Sequence, residues 1–407
     1  MESKLRVPTV ALITKPFQKL VKENAYKKGM PDLRVTYVPS PVWGKTPEQL
    51  RGYLEGNDPV SGRPVMQEII AHLTTPLSKA DSTTRMIEQS AGPATYGPDT
   101  ADNLTKLFTD KRMTDYLPIV LPTEARVNAM LKGTSHDPDE EVGKMAATPG
   151  VYENWTYTVR TVAVNAVMAG AKPEYLPVIL AIAAAGTESI SSSDNSFARA
   201  VVINGPIRDQ IGLNYEIGAM GPFSQANATI GRAWTLLSLN GGNAGKVGLT
   251  YMGVVGNPTN YTNIVIAENE QASPWQPFSV QKGFKPGDSV VSIFTGWGMI
   301  SAKNSVYGVW AKKMNFTQQL TNIFKTQDPM FGATAVLSPV VANYLKQEGH
   351  DTMKELIDTL YKKTSDGRPH FRSPQSINIL VTGGYNNLYY DYGGMFYEKS
   401  VSVDKWR

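Results

Sequence analysis

Val7-Pro8-Thr9-Val10-Ala11-Leu12-Ile13-Thr14 is a short, β-branched run; Lys15-Pro16-Phe17 follows it and opens a helical pattern through Tyr26. Arg34-Val35-Thr36-Tyr37-Val38 is a second such run, closed by Pro39-Ser40-Pro41. Strand, helix and strand joined by short links read as a βαβ unit on a parallel sheet. Helix-period segments follow at Pro47 to Leu54 and Val65 to Leu73. The alternation continues beyond this unit. Helices are expected at Glu124 to Leu131, from Ser135-His136-Asp137-Pro138-Asp139-Glu140-Glu141 onward, at Tyr157 to Ala169, at Tyr175 to Ala185 and at Asn227 to Leu239. Further helices are expected at Thr317 to Phe324, Pro339 to Gln347 and Met353 to Lys362. Strands are expected at Ala200 to Ile203, Asn263 to Ala267, Ser289 to Phe294, Ala333 to Leu337 and Ile377 to Thr382. The class is α/β, with parallel or mixed sheets and flanking helices. Residues 1–75 form the βαβ portion, 76–117 a connector and 118–407 the main α/β body, with two lobes dividing near 310–330. No repeat of fixed period is visible.

Composition narrows the chemistry. With 41% hydrophobic and 19% charged residues the 407-residue chain is globular and long enough for two or three packed units. The 40 basic and 36 acidic residues are interspersed, and the pairs Lys312-Lys313 and Lys362-Lys363 read as solvated helix edges, so no nucleic-acid partner is expected. The longest apolar run, Tyr175 to Gly186, falls short of the roughly 20 residues that cross a bilayer, so no membrane partner is expected either. The start Met1-Glu2-Ser3-Lys4 carries no leader pattern, which gives a cytoplasmic expectation. There is no cysteine. A cysteine nucleophile, a redox dithiol, a disulfide and a thiolate-held metal are excluded from this chain, leaving carboxylates, hydroxyls, amides and backbone dipoles.

No metal and no cofactor is predicted. His72, His136, His350 and His370 stand apart, without the pairing of a metalloprotease helix. Gly242-Asn243-Ala244-Gly245-Lys246 lacks both the first glycine and the Ser/Thr of a phosphate loop, and Gly383-Gly384 lacks dinucleotide spacing. The aromatic set Tyr385, Tyr389, Tyr390, Tyr392 and Trp297 reads as core or interface packing. The densest signal runs from Asn204 to Trp275. There Asn204 and Ala267-Glu268-Asn269-Glu270 fall at or just past the carboxyl ends of expected strands, where α/β sheets form ligand crevices. Two carboxylates in such a crevice can be driven apart in pKa and share acid–base work. The bland alternative is also open: the asparagines cap turns, Glu268 or Glu270 joins an ordinary ion pair, and Asn227 begins a capped helix.

The same residues carry a resemblance. Asn204-Gly205-Pro206-Ile207, Gly221-Pro222, Ala226 to Ala233, Ala267 to Glu270 and Ser273-Pro274-Trp275 resemble the large domain of the bacterial family marked by a Sec-Gly-Ser-Cys motif. Pro122-Thr123-Glu124, Asp137-Pro138-Asp139-Glu140 and Val164 to Gly170 fit the same pattern. The likeness covers most of residues 118 to 300, with weaker echoes near Leu337 to Lys362. Val7 to Leu73 resembles the latter half of the family's small domain, whose reactive residue lies upstream of the strand matching Val10 to Ile13. The chain departs from the family at Ala171, at Val265-Ile266, at Glu188 to Asn195 and at Tyr385 to Tyr390.

What the resemblance implies is the large subunit of a hetero-oligomeric enzyme acting on a small organic, anionic substrate. A small cysteine- or selenocysteine-bearing partner would complete the residue 1–75 domain and supply the thiol or selenol. In that picture Glu268 and Glu270 are catalytic, and Asn204, Asn227, Arg232, Asn269 and Trp275 bind substrate, Arg232 through an anionic group. Two other readings remain: a non-catalytic scaffold or ligand-binding paralogue in such a complex, and a hydrolase or lyase that uses its carboxylates alone.

Overall fold

A computed structural model describes residues 2–27, 29–78, 94–145, 155–221, 223–297, 300–303, 315–386 and 389–407. The chain divides into two units. One holds the residues up to Pro98 together with Gly245–Met252; the other holds Asp99–Ala147, Asn154–Ala244 and Gly253–Arg407.

In the first unit β1 (Ala11–Thr14) and β2 (Val35–Val38) pair in parallel, Ala11 opposite Val35, and the helix Gln18–Lys27 links them as a βαβ unit. The helix Pro47–Glu55 starts at a capping box in which Thr46 and Gln49 satisfy each other's amides, and the helix Val65–Thr74 follows. Buried Asp58 fixes the turn between them, its carboxylate accepting from the amides of Tyr37 (2.6 Å), Val60 (2.6 Å) and Ser61 (3.0 Å).

In the second unit the helices Ala101–Asp110 and Glu124–Leu131 precede β3 (Glu141–Met145) and β4 (Trp155–Thr158), an antiparallel pair. Two four-stranded sheets follow. They are built from β5 (Ala198–Asn204), β6 (Ile264–Ala267), β7 (Val290–Trp297), β8 (Ile300–Lys303), β9 (Ala333–Leu337), β10 (Ile377–Val381), β11 (Tyr389–Gly393) and β12 (Phe396–Ser402). The sheet orders are β12-β7-β5-β6 and β10-β9-β11-β8.

The two-residue period of the strands distributes their side chains over a layered body. Val201, Ile203, Val265, Ala267, Val291 and Ile293 meet the apolar helices Val159–Ala169, Leu176–Ala184 and Gln225–Gly242 in one core. Their alternates Ala200, Val202, Ile264, Ile266 and Phe294 meet Val336 and Leu380 of the second sheet and Met395 of the link between β11 and β12. Ala333, Ala335, Leu337, Ile377, Ile379 and Val381 pack outward on the helices Phe316–Phe324, Pro339–Gln347 and Met353–Thr364. The order of layers is therefore helices, sheet, sheet, helices. Strands buried on both faces are mostly apolar, which is why β5, β6, β9 and β10 read as hydrophobic runs, with buried Arg199, Thr334 and Asn378 as polar exceptions inside them.

The two sheets repeat one connectivity. β5 crosses over to parallel β6 on one side and is flanked by antiparallel β7 on the other; β9 does the same with β10 and β11. Ile203 lies opposite Ala267 and Val291, and Leu337 lies opposite Val381 and Tyr390. Each sheet takes its fourth strand from the other repeat: β8, which follows β7, pairs with β11, and β12, which follows β11, pairs with β7. The repeat escapes a fixed-period reading because the crossover from 203 to 267 is longer than that from 337 to 381.

Several expectations need correction. His136 to Glu141 starts no helix: Asp137 accepts from the amide of Asp139 in a tight turn, and the chain enters β3 as a strand. Residues 155–158, expected in part as helix, are β4, and Thr158 instead caps the helix that begins at Val159. The expected connector contains a helix, Ala101–Asp110, whose Phe108 joins the core of the second unit, while 79–93 lie outside the described residues. β3, β8, β11 and β12 lie outside the expected strands. Lys362 and Lys363 are exposed in the last turn of their helix; Lys312-Lys313 and the side chains of Trp297 and Tyr389 lie outside the described residues. Tyr390 and Tyr392 are in or against the second sheet's outer core, whereas Tyr385 is exposed. No described helix is long and apolar enough to cross a membrane.

Candidate functional site

The carboxyl ends of β5 and β6 carry the candidate site. Asn204 is the last residue of β5, and the chain turns at Gly205 with φ +85°; a Cβ there would lie 2.2 Å from the carbonyl oxygen of Asp288, so only glycine fits. Glu268 follows β6 directly and extends its ladder, donating its amide to the Ile203 carbonyl at 3.1 Å. In the other repeat Thr382 donates likewise to Leu337 at 3.0 Å, and the two strand ends are tied together by Asn269 N–H to the Val381 carbonyl at 2.8 Å.

Three of the expected site residues come together here. The Asn204 amide donates to Glu268 Oε2 at 2.6 Å and to Glu270 Oε1 at 2.9 Å. Glu270 Oε1 also accepts from the Gly205 amide at 2.8 Å, and Glu268 Oε2 accepts from the Phe278 amide at 2.7 Å. Asn204 Oδ1 and Glu268 Oε1 are buried without a hydrogen-bond partner among the described residues. Burial pushes the Glu268 carboxyl up to about 7, against the opposing pull of the Phe278 and Asn204 hydrogen bonds; the nearby Glu270 charge adds to the rise. At neutral pH Glu268 thus stands between acid and base, as a proton-transfer group requires.

The cation of the site is one the sequence reading missed. Arg208 Nη2 pairs with Glu270 Oε2 at 3.2 Å, Nε donates to the Gly205 carbonyl at 2.9 Å, and Nη1 donates to the Glu268 carbonyl. Its guanidinium lies 4.9 Å from the Tyr215 ring centroid, and the Tyr215 hydroxyl donates to Asp209 at 2.6 Å. The signal was its place four residues after Asn204, on the first turn leaving β5.

The remaining expected residues are committed elsewhere. Arg232 is paired within the fold: it forms a bidentate pair with Asp115 (2.9 Å to each oxygen) and donates to the Leu117 and Pro118 carbonyls. Asn227 is a structural bracket. Its Oδ1 accepts from the Asn214 amide and the Ser224 hydroxyl, and its Nδ2 donates to the carbonyls of Asn214, Ala219 and Val265. Trp275 is buried in the outer core of the second sheet and donates Nε1–H to the His350 carbonyl at 2.9 Å. Asn269 spans the two repeats, donating to the Gly383 carbonyl at 3.1 Å and accepting from the Ala272 amide at 3.2 Å. Each of these four makes side-chain hydrogen bonds to the fold itself.

The profile of the UGSC family matches residues 3–57, in agreement with the Sec-Gly-Ser-Cys resemblance read in the sequence. The chain resembles that family while holding no cysteine. The matched stretch covers β1, its helix and β2, and leaves Asn204, Glu268 and Glu270 outside it. No curated protein and no solved structure matches the chain.

Proposed function

We propose that this chain is the large subunit of a hetero-oligomeric bacterial enzyme of the cytoplasm, and that Glu268 moves a proton to or from a small organic substrate. The observation that carries the reading is the buried Glu268 carboxyl, raised to about 7 beside Glu270 and Asn204 at the carboxyl ends of parallel strands. Asn204 and the Phe278 amide hold one oxygen, which leaves Oε1 to exchange the proton. Glu270, anchored by Arg208 and the Gly205 amide, fixes the Asn204 side chain that orients Glu268. The negative charge expected of the substrate draws no support from Arg232, which pairs with Asp115.

In this proposal the bond-forming thiol or selenol comes from a small partner subunit. The UGSC match in a cysteine-free chain supports that, as does a parallel β1–β2 pair of only four residues each, since parallel strands are stable when flanked and covered. Glu268→Gln in the natively isolated assembly lowers kcat by about 10²- to 10⁴-fold if the carboxyl is the proton donor. Unchanged turnover would sink the assignment and favour the scaffold reading.

A further inference from the structure

Lys282 is a cation whose neighbours are not those of an ordinary surface lysine. It follows the short helix Phe278–Gln281, and its amide donates to the carbonyls of Phe278 and Ser279, which fixes where the side chain starts. The side chain runs back to the ring of Phe278, four residues earlier. Its Nζ lies 4.8 Å from the centroid of the Phe278 ring and 4.3 Å from that of Tyr397. Those two rings meet edge to face at 5.5 Å, and Phe294 packs on both. No carboxylate of the described residues pairs with this amine; by contrast Lys106 and Lys354 each pair with an aspartate at 2.5 Å.

An ammonium group has three donors to satisfy, and ring faces accept none of them as an oxygen does. Attraction to the rings is worth roughly 0.5 to 2 kcal/mol, which returns only part of the hydration lost. Burial accordingly pulls Lys282 below the ordinary lysine value. Phe278 also links the amine to the site, because its backbone amide holds Glu268 while its ring lies beneath Nζ.

We propose that Lys282 is a nucleophilic amine that condenses with the carbonyl group of a small aldehyde or keto ligand. The neutral nitrogen adds to the carbonyl carbon, the carbonyl oxygen gains the two protons lost by nitrogen and leaves as water, and an imine remains. The inference goes beyond the proton-transfer role of Glu268 and stands or falls separately from it, since it is read without turnover.

The test is reductive trapping on the full chain. Glyoxylate and benzaldehyde serve as probes, cyanoborohydride delivers hydride to the imine carbon, and peptide mass mapping gives the rate at each lysine. Label is expected at Lys282 at least about tenfold faster than at the exposed Lys325 and Lys346. Lys282→Arg, which keeps the cation over the rings, removes that fast-labelled site while the melting temperature stays within a few degrees. Labelling of Lys282 at or below the rate of Lys325 and Lys346 with both probes would overturn the proposal and leave Lys282 as a structural brace. That comparison within the unsubstituted chain decides the matter even if the variant folds poorly.

Discussion

At the scale of residues, the carboxylates of this chain are sorted by what surrounds them. Glu268 titrates from an unfolded value near 4.5 to about 7 in the folded chain. The folded state therefore holds a proton that the unfolded state has released, and stability from this group is full below pH 4.5 and lost as pH rises towards 7. The decline has an upper bound of roughly 1.4 kcal/mol per pH unit in that window. Urea unfolding of Glu268→Gln should lack this slope; an identical pH profile in both proteins would contradict the assignment. Arg232, by contrast, is a fastener. Its partner Asp115 is buried, so Arg232→Ala leaves an unpaired buried carboxylate and is expected to cost about 3 to 5 kcal/mol in unfolding free energy. A loss below about 1 kcal/mol would return Arg232 to the candidates for ligand binding. That Asn204 closes β5 and Glu268 follows β6 was legible in the sequence, because a strand end shows as the close of a hydrophobic run. Sequence alone could not separate Arg232 from Arg208, since that distinction depends on Asp115, far away in the chain.

At the scale of elements, two glycines in helices show how tightly the layers fit. Gly231 lies in the helix Gln225–Gly242, where a Cβ would fall 1.8 Å from the Thr262 carbonyl oxygen, in the connection that leads into β6. Gly52 lies in the helix Pro47–Glu55 with nothing within 4 Å of an added Cβ. Gly231→Ala is expected to destabilise by roughly 3 kcal/mol or more, and Gly52→Ala to stabilise by about 0.5 to 1 kcal/mol. Thermal melting of the pair checks both signs. Elements with caps and apolar periods were the readable ones: Ala333–Leu337 and Pro339–Gln347 were placed to the residue. The tyrosine-rich β11 was not, because its sequence carries no clear apolar–polar alternation and its pairing is set by β8 and β9. His136 was misread for a related reason. Its turn resembles a helix start locally, while its ring nitrogens bond to Glu140 and to the carbonyl of Lys405 near the other end of the chain.

At the scale of the whole molecule, the exchanged strands bind the two sheets of the second unit into one cooperative body. Neither sheet keeps its fourth strand if the other repeat opens, so amide exchange in β5 and β9 is expected to report the same opening free energy, within about 0.5 kcal/mol. Separate, widely different values would show two independently unfolding halves. The α/β class was legible in the alternation of runs, whereas the four-layer order and the exchange were not, since both depend on which strands meet far apart in the chain, as Tyr389 meets Lys303 and Ser402 meets Val290. The larger claim concerns the assembly. A cysteine-free chain whose first stretch matches the UGSC family, and whose second unit holds a buried acid at its strand ends, is read here as the part that shapes a site and moves a proton for a reactive group borne elsewhere. Native mass spectrometry of the assembly isolated from its source tests this most directly. The account predicts a stable complex of this chain with a small chain carrying cysteine or selenocysteine; this chain found alone, or only with copies of itself, would contradict it.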